Sequence, residues 1–273
     1  MRIHGTDFSN SIAHSISANE RRTDRALKQL ATGKRITSAG DDSAGLAISE
    51  QLDSYAKSFR SALINAESSN SYFDIAEGAL NEQSNILTRL RELSVQAASG
   101  QFSNRERDLI QLETKQLQQE FDRIAKSTRY GSQPILDGSR QNYEFQVGID
   151  SASSSRITID AYPDTTASEL NVDSLDVSSA SDARDSLKTI DEASYQVMKV
   201  RAQFGAYASR METARNHIEN QIAGNSEGYS RITDARVDES IVQARRGQIL
   251  AQYQLAALGV QADLEKSLLK LVV

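Results

Sequence analysis

Residues 182–222 read DARDSLKTIDEASYQVMKVRAQFGAYASRMETARNHIENQI, and within them Ile190, Val197, Phe204, Met211 and Ile218 step by seven without a break. A strict seven-residue apolar row keeps one helical face apolar and marks a coiled-coil seam. Leu187, Ala208 and Ile222 fall on the adjacent seam and no Pro interrupts the run, so the stretch predicts a helix from about Asp182 to Ile222. Upstream, a second row of sevens runs through Leu52, Phe59, Ala66, Phe73, Leu80 and Leu87. Asp41 or Asp42 can cap that helix, and nothing before Gly100 stops it except the tolerable Gly78. About 55 helical residues at about 1.5 Å each span roughly 80 Å, against about 50 Å for a compact globule of this length, which predicts a rod.

The rest of the chain arranges itself around these two helices. A third helix carries Ile110, Leu117 and Ile124, with Leu109, Leu112 and Phe121 broadening its stripe, and should fold back on the second before ending near Tyr130 and Gly131. Between Pro134 and about Ala183 the chain becomes acidic and Ser-rich and loses helical period. There Tyr143, Phe145, Val147 and Ile149 alternate, as do Ile157 and Ile159 after a polar turn from Asp150 to Ser155, which predicts a small hairpin. Asn220 to Tyr229, with Gly224 and Gly228, reads as a linker. At the ends, a first helix from Asp7 to Ala31 carries Phe8, Ile12, Ile16, Ala26, Leu27 and Leu30 and stops at Gly33. A last helix carries Ile241, Ile249, Tyr253, Ala256, Val260, Leu264, Leu268 and Leu271. Terminal helices fray unless docked, so these stripes require each other or other copies of the chain. The expected division is 1–40, first terminal helix; 41–137, first half of the rod; 138–181, hairpin and Ser/Asp-rich loop; 182–223, second half of the rod; and 224–273, linker and last helix. The fold class is mainly α: an elongated antiparallel coiled-coil rod with a small β-hairpin and paired terminal helices.

Composition narrows the function. Of 273 residues, 38% are hydrophobic and none is Trp or Cys, so a thiolate metal site, a disulfide framework and a Cys nucleophile are all excluded. The formal net charge of −6 gives no support for general binding to nucleic acid or anionic lipid. No apolar run approaches the roughly 18 residues of a transmembrane helix or forms a cleavable signal, so no membrane insertion is expected. Gly33-Lys34 is not a phosphate loop, because Lys28 and Arg35 stand where that motif needs Gly and Ser or Thr. The cluster Arg21, Arg22, Arg25, Lys28, Lys34 and Arg35 has no interleaved aromatic to stack on a base and reads as a solvated or subunit-contact face. His4, His14 and His217 are dispersed, and the carboxylate pairs Asp191-Glu192 and Asp238-Glu239 diverge by about 100° on helices, so no metal site, cofactor or catalytic constellation is expected.

Residues 30–49, LATGKRITSAGDDSAGLAIS, resemble the N-terminal signature of the bacterial flagellins. Similar matches occur at Ala76-Glu77-Gly78-Ala79-Leu80, at Arg89-Leu90-Arg91-Glu92-Leu93-Ser94-Val95-Gln96, and at Gln146-Val147-Gly148 with Ile157-Thr158-Ile159-Asp160. Others lie at Arg201-Ala202-Gln203-Phe204-Gly205-Ala206, at Ser230-Arg231-Ile232-Thr233-Asp234-Ala235 and at Gln248-Ile249-Leu250, in the family's order. The resemblance implies a non-enzymatic subunit, exported unfolded, that polymerises into the helical filament of an extracellular flagellum for motility; a sheathed or periplasmic filament stays open. It implies an inner tube of terminal helices packed through Ile12, Ile16, Leu27, Leu30, Ile249, Tyr253, Val260, Leu264 and Leu268. It also implies a patch of Arg89, Leu90, Leu93, Gln96 and Glu113 between neighbouring protofilaments, seen too by the animal Toll-like receptor for flagellin; core packing for Leu90 or Leu93 is the plainer reading. The partners it implies are the chain itself, the export apparatus, an export chaperone on Ile241 to Leu268, and cap and hook-junction proteins. The Ser-rich loops are candidate acceptors of O-linked sugar. A hook–filament junction protein, or a coiled-coil adaptor or effector, is the rival reading.

Overall fold

The computed structural model describes residues 4–139, 142–159 and 163–272, without the side chains of residues 4–9, 265 and 268–272, so Phe8, Leu268 and Leu271 of the expected terminal stripes lie outside the described side chains. Among the described residues five α-helices dominate: α1 (His4–Thr32), α2 (Ser43–Ala97), α3 (Asn104–Ser127), α4 (Ala180–Thr233) and α5 (Val237–Val272). Between α3 and α4 lie two antiparallel ribbons, β1 (Arg129–Tyr130) with β2 (Gln133–Pro134), and β3 (Tyr143–Gln146) with β4 (Arg156–Ile159). The chain divides into two compact units, one of residues 57–222 and one of residues 1–56 with 223–273.

In the unit of residues 57–222, the two rows of sevens meet. Ala66, Phe73, Leu80 and Leu87 of α2 and Ile190, Val197, Phe204, Met211 and Ile218 of α4 are all buried in one cluster, which Phe121 and Ala125 of α3 complete. In the hairpin, Tyr143 pairs with Ile159 and Phe145 with Ile157, which puts all four on one face against this cluster. Phe145 and Tyr143 join Tyr72, Phe73 and Phe204 in a set of edge-on and stacked ring contacts 4.6–6.3 Å apart. Across the exposed rim, the Arg201 guanidinium donates to Glu77 on α2, Nε to Oε1 at 3.0 Å.

Two expectations need correction. Leu109 and Leu112 do not widen the buried stripe of α3; both are solvent-exposed, and the buried face is Arg107, Ile110, Thr114, Gln118, Phe121 and Ala125. The physical reason is the irregular backbone beside it. Gln118 donates to the carbonyls of Val172 and Leu175 at 2.8 and 3.0 Å, and Arg107 donates to those of Ala97 and Ser99 at 2.8 and 2.9 Å. Apart from these bonds, Val172 O accepts only from Leu175 N–H at 3.4 Å and Leu175 O only from Gln111 Nε2 at 3.5 Å among the described residues, so polar side chains take the inner positions to satisfy this backbone. Secondly, residues 220–229 are not a linker: α4 runs through both glycines to Thr233. A helical Gly costs only about 1 kcal/mol relative to Ala, and at Gly228 a Cβ would come within 3.3 Å of Leu52 on α2, so the missing side chain allows close approach.

Candidate assembly surfaces

The unit of residues 1–56 and 223–273 is organised by a turn and a junction. Gly33 adopts a φ of +68° and ends α1. The next residues form a backbone clasp with the α4–α5 junction: Arg35 N–H donates to Thr233 O at 2.6 Å, Ala235 N–H donates to Gly33 O at 2.9 Å, and Lys34 bridges Asp234. Arg35 reinforces the clasp with its guanidinium, which donates to Ile232 O at 2.9 Å and to Asp42 at 3.3 Å. Lys34 Nζ donates to the Tyr229 hydroxyl at 3.0 Å, a bond that raises the lysine's pKa.

Asp41 and Asp42 divide the work at the start of α2. Asp42 is the N-cap, its Oδ1 accepting from Gly45 N–H at 2.8 Å. Asp41 Oδ2 accepts from both the amide and the hydroxyl of Thr37 and of Ser38 at 2.8–3.2 Å, gathering the turn around one carboxylate. Both carboxyls are held below their ordinary pKa, Asp41 chiefly by the Thr37 hydroxyl and Asp42 chiefly by the Gly45 amide.

Beyond the clasp, α1 and α5 lie against each other. On α1 the seam comprises the buried Asn19 and Ala26 with the half-buried Ile12, Ile16 and Leu30, whereas Leu27 is exposed at its edge. On α5 the seam is Ser240, Ala244, Gly247, Ala251, Gln254 and Leu258, a row stepping four and three, small at its first four positions. Asn19 Nδ2 donates to Gly247 O at 2.8 Å, Gln254 Nε2 reaches Ser15 Oγ at 3.2 Å, and Ser240 Oγ reaches Gln29 at 3.4 Å. The apolar residues expected to pair the helices point elsewhere. The expected Ile249, Tyr253, Val260 and Leu264, joined by Val242, fall within about 60° of one another at about 100° per residue, roughly opposite the seam, and the expected Ile241 is exposed beside them. All five are exposed, Tyr253 at 72%. A heptad of small residues was the available signal; reading only for large apolar side chains passes over it.

The patch on α2 and α3 is likewise redrawn. Leu90 and Leu93 are 0% and 2% exposed, so they belong to the core and present nothing to a partner. Arg89 stands outside them, its guanidinium donating to Glu113 Oε1 at 2.7 and 2.9 Å and to Glu92 at 3.1 Å, an arrangement that raises its pKa, first through Glu113. The surface that remains is Thr88, Arg91, Glu92, Val95 and Gln96 beside this ion-pair cluster. Among the described residues no three His, Asp or Glu side chains gather as metal ligands, and no helix is long and apolar enough to cross a membrane.

Known proteins resemble this chain over most of its length. Residues 6–141 match the family model of the bacterial flagellin N-terminal helical region, and residues 187–272 match that of the bacterial flagellin C-terminal helical region. The chain is 31% identical over 261 residues to flagellin FlaB1 of Treponema pallidum, covering 91% of each chain. It is also 31% identical over 261 residues to the flagellar filament core protein flaB2 of Brachyspira hyodysenteriae, covering 90% of each. Among solved structures, that of Bacillus cereus flagellin superposes with a TM-score of 0.51 at 27% identity, covering 57% of this chain and 88% of that one.

Proposed function

Because this chain belongs to the bacterial flagellin family, and is thus a structural subunit of the flagellar filament, we propose that its α1–α5 pair forms the filament's inner tube while α2 to α4 build the layer outside it. The observation that carries this reading is the outward apolar face of α5. Fully burying one aliphatic or aromatic side chain is worth about 1.5–3 kcal/mol. Val242, Ile249, Tyr253, Val260 and Leu264, each half or more exposed in the single chain, therefore each retain about 1 kcal/mol to be gained between copies. The seam with α1, small and hydrogen-bonded, leaves that face free for neighbours.

On this reading the subunit is exported through the flagellar apparatus to an extracellular filament and adds beneath a cap, above hook-junction proteins. A chaperone covers α5 from Ile241 to Leu268 before export, since an uncovered apolar stripe would aggregate. Arg89, Glu92, Gln96 and Glu113 form a polar contact between protofilaments and the surface offered to the animal Toll-like receptor.

The test is seeded elongation. Purified full-length protein added to sheared filaments should give tubes visible by negative-stain electron microscopy. Neither a version lacking residues 1–33 nor the doubly charged variant Tyr253→Lys with Val260→Lys should elongate them. Growth of the Tyr253→Lys/Val260→Lys protein at the wild-type rate would show that the α5 face is not the contact.

A further inference from the structure

Within the unit of residues 57–222, an open groove of about 700 Å³ runs between the hairpin and α4. Its floor is apolar, with Phe59, Ile149 and Ile157, and α4 supplies the wall; the hairpin turn adds Asp150, whose carboxylate accepts from Ala152 N–H and the Ser155 hydroxyl, and Arg156, which is paired with Glu144. Along that wall Arg210 and His217 are seven residues apart, hence on one face and roughly 10 Å from each other, with the small Thr213 between them. The neighbouring cations of α4 are occupied: Arg201 pairs with Glu77, and Arg215 with Glu212 and Glu219. Among the described residues, neither Arg210 nor His217 has a hydrogen-bond or ion-pair partner. An unpaired guanidinium at the edge of an apolar groove is a receptor for a carboxylate.

The same unit carries a matching projection. Residues 163–176 contain Asp164, Glu169, Asp173 and Asp176 and no Lys or Arg. Asp164 accepts from Thr166 N–H and Asp176 from Ser178 N–H, whereas the side chains of Glu169 and Asp173 are exposed and, among the described residues, make no ion pair. The loop is held rigidly. Val172 N–H donates to Ala167 O at 2.8 Å, Asn171 sits at a φ of 55°, and Gln118 clamps the carbonyls of Val172 and Leu175. A preorganised acidic loop loses little entropy on docking.

We propose that the groove receives the 163–176 loop of a second copy of this chain, with Glu169 and Asp173 of the incoming copy meeting Arg210 and His217. The loop is packed on α3 and cannot fold into the groove of its own chain. Groove and loop are different patches, so the contact is heterologous and propagates along a helical assembly without closing on itself. This inference rests on the filament reading.

Charge reversal tests it. Arg210→Glu, and separately Glu169→Lys with Asp173→Lys, should each raise the critical concentration for elongating wild-type seeds by about tenfold or more, because each places like charges together. All three changes in one chain should bring homopolymer elongation back to within about threefold of wild type, because the pair is then restored with its signs exchanged. Thermal unfolding of each variant at the wild-type temperature confirms that the monomer is intact. The proposal is overturned if either reversal alone elongates like wild type, or if both are impaired and the combination does not recover. Failure of wild-type protein on wild-type seeds would overturn the filament reading and this inference with it.

Discussion

Substituting Gly247 by Ala probes the closest approach of α1 and α5. A Cβ at that position would stand 3.1 Å from Thr23 Cβ and 3.4 Å from its Cγ2, and would overlap Thr23 Oγ1. Thr23 cannot yield cheaply: it is β-branched on a helix, and its hydroxyl donates to Asn19 O at 2.9 Å. The alternative is for α5 to move off α1, which stretches the 2.8 Å bond from Asn19 to Gly247 O. Overpacking costs about 2 kcal/mol, the weakened buried bond about 1 kcal/mol, and the better helix propensity of Ala returns about 1 kcal/mol. The net loss of about 2 kcal/mol is roughly a 30-fold rise in local opening. Hydrogen exchange of the full chain should therefore show amides around 240–251 exchanging roughly 30-fold faster in Gly247→Ala, while amides in the 57–222 core keep their rate. Adding Thr23→Ala removes the obstacle and should return the rate to within about threefold of wild type. Equal or slower exchange in Gly247→Ala alone would mean that helix propensity decides this position and that the close seam is wrongly drawn.

Other consequences are as specific. Asp41 has a folded pKa below its ordinary value, so its contribution is complete above the unfolded pKa of about 3.9 and is lost as pH falls through the lower folded value. Protection of the Thr37 and Ser38 amides should accordingly stay level from pH 7 down to about 4 and collapse below it; a loss beginning above pH 5 would implicate another group. Arg107→Met should destabilise the 57–222 unit by about 3 kcal/mol, read by denaturant unfolding, since the carbonyls of Ala97 and Ser99 lose a charged donor while buried or half-buried. A near-neutral result would mean that water replaces the guanidinium. Leu90→Ala should cost about 2–5 kcal/mol in the same measurement, whereas Arg89→Ala should leave unfolding within about 0.5 kcal/mol of wild type and instead slow elongation of seeds.

Five helices and the hairpin were legible because their causes are local. The sevens through Ile190, Val197 and Phe204 and through Phe73, Leu80 and Leu87 can bury an apolar face in only one way, and the alternation at Tyr143, Phe145, Ile157 and Ile159 sets which residues share a strand face. Likewise Gly33 and the Asp41-Asp42 pair mark a helix end and a helix start by chemistry confined to a few residues. Function followed from an extended match to a family rather than from any reactive group.

Tertiary structure decided what each face meets, and here the apparent stripes mislead. Tyr253 and Val260 look like the partners of Ile12 and Ile16, yet the seam is Ser240, Ala244, Gly247 and Ala251, because two helices approach most closely where side chains are small and can exchange hydrogen bonds. Leu109 and Leu112 look buried and are exposed, because Gln118 turns inward to carbonyls more than 50 residues away in the chain and Arg107 turns inward to those of the preceding turn at Ala97 and Ser99. Gly224 and Gly228 look like a break and lie within α4, because a helical Gly costs only about 1 kcal/mol, and at Gly228 the missing Cβ leaves room for Leu52. Hydrophobic period shows which residues seek burial. Whether that burial comes from the same chain or is left for another copy depends on distances between segments that no local pattern contains.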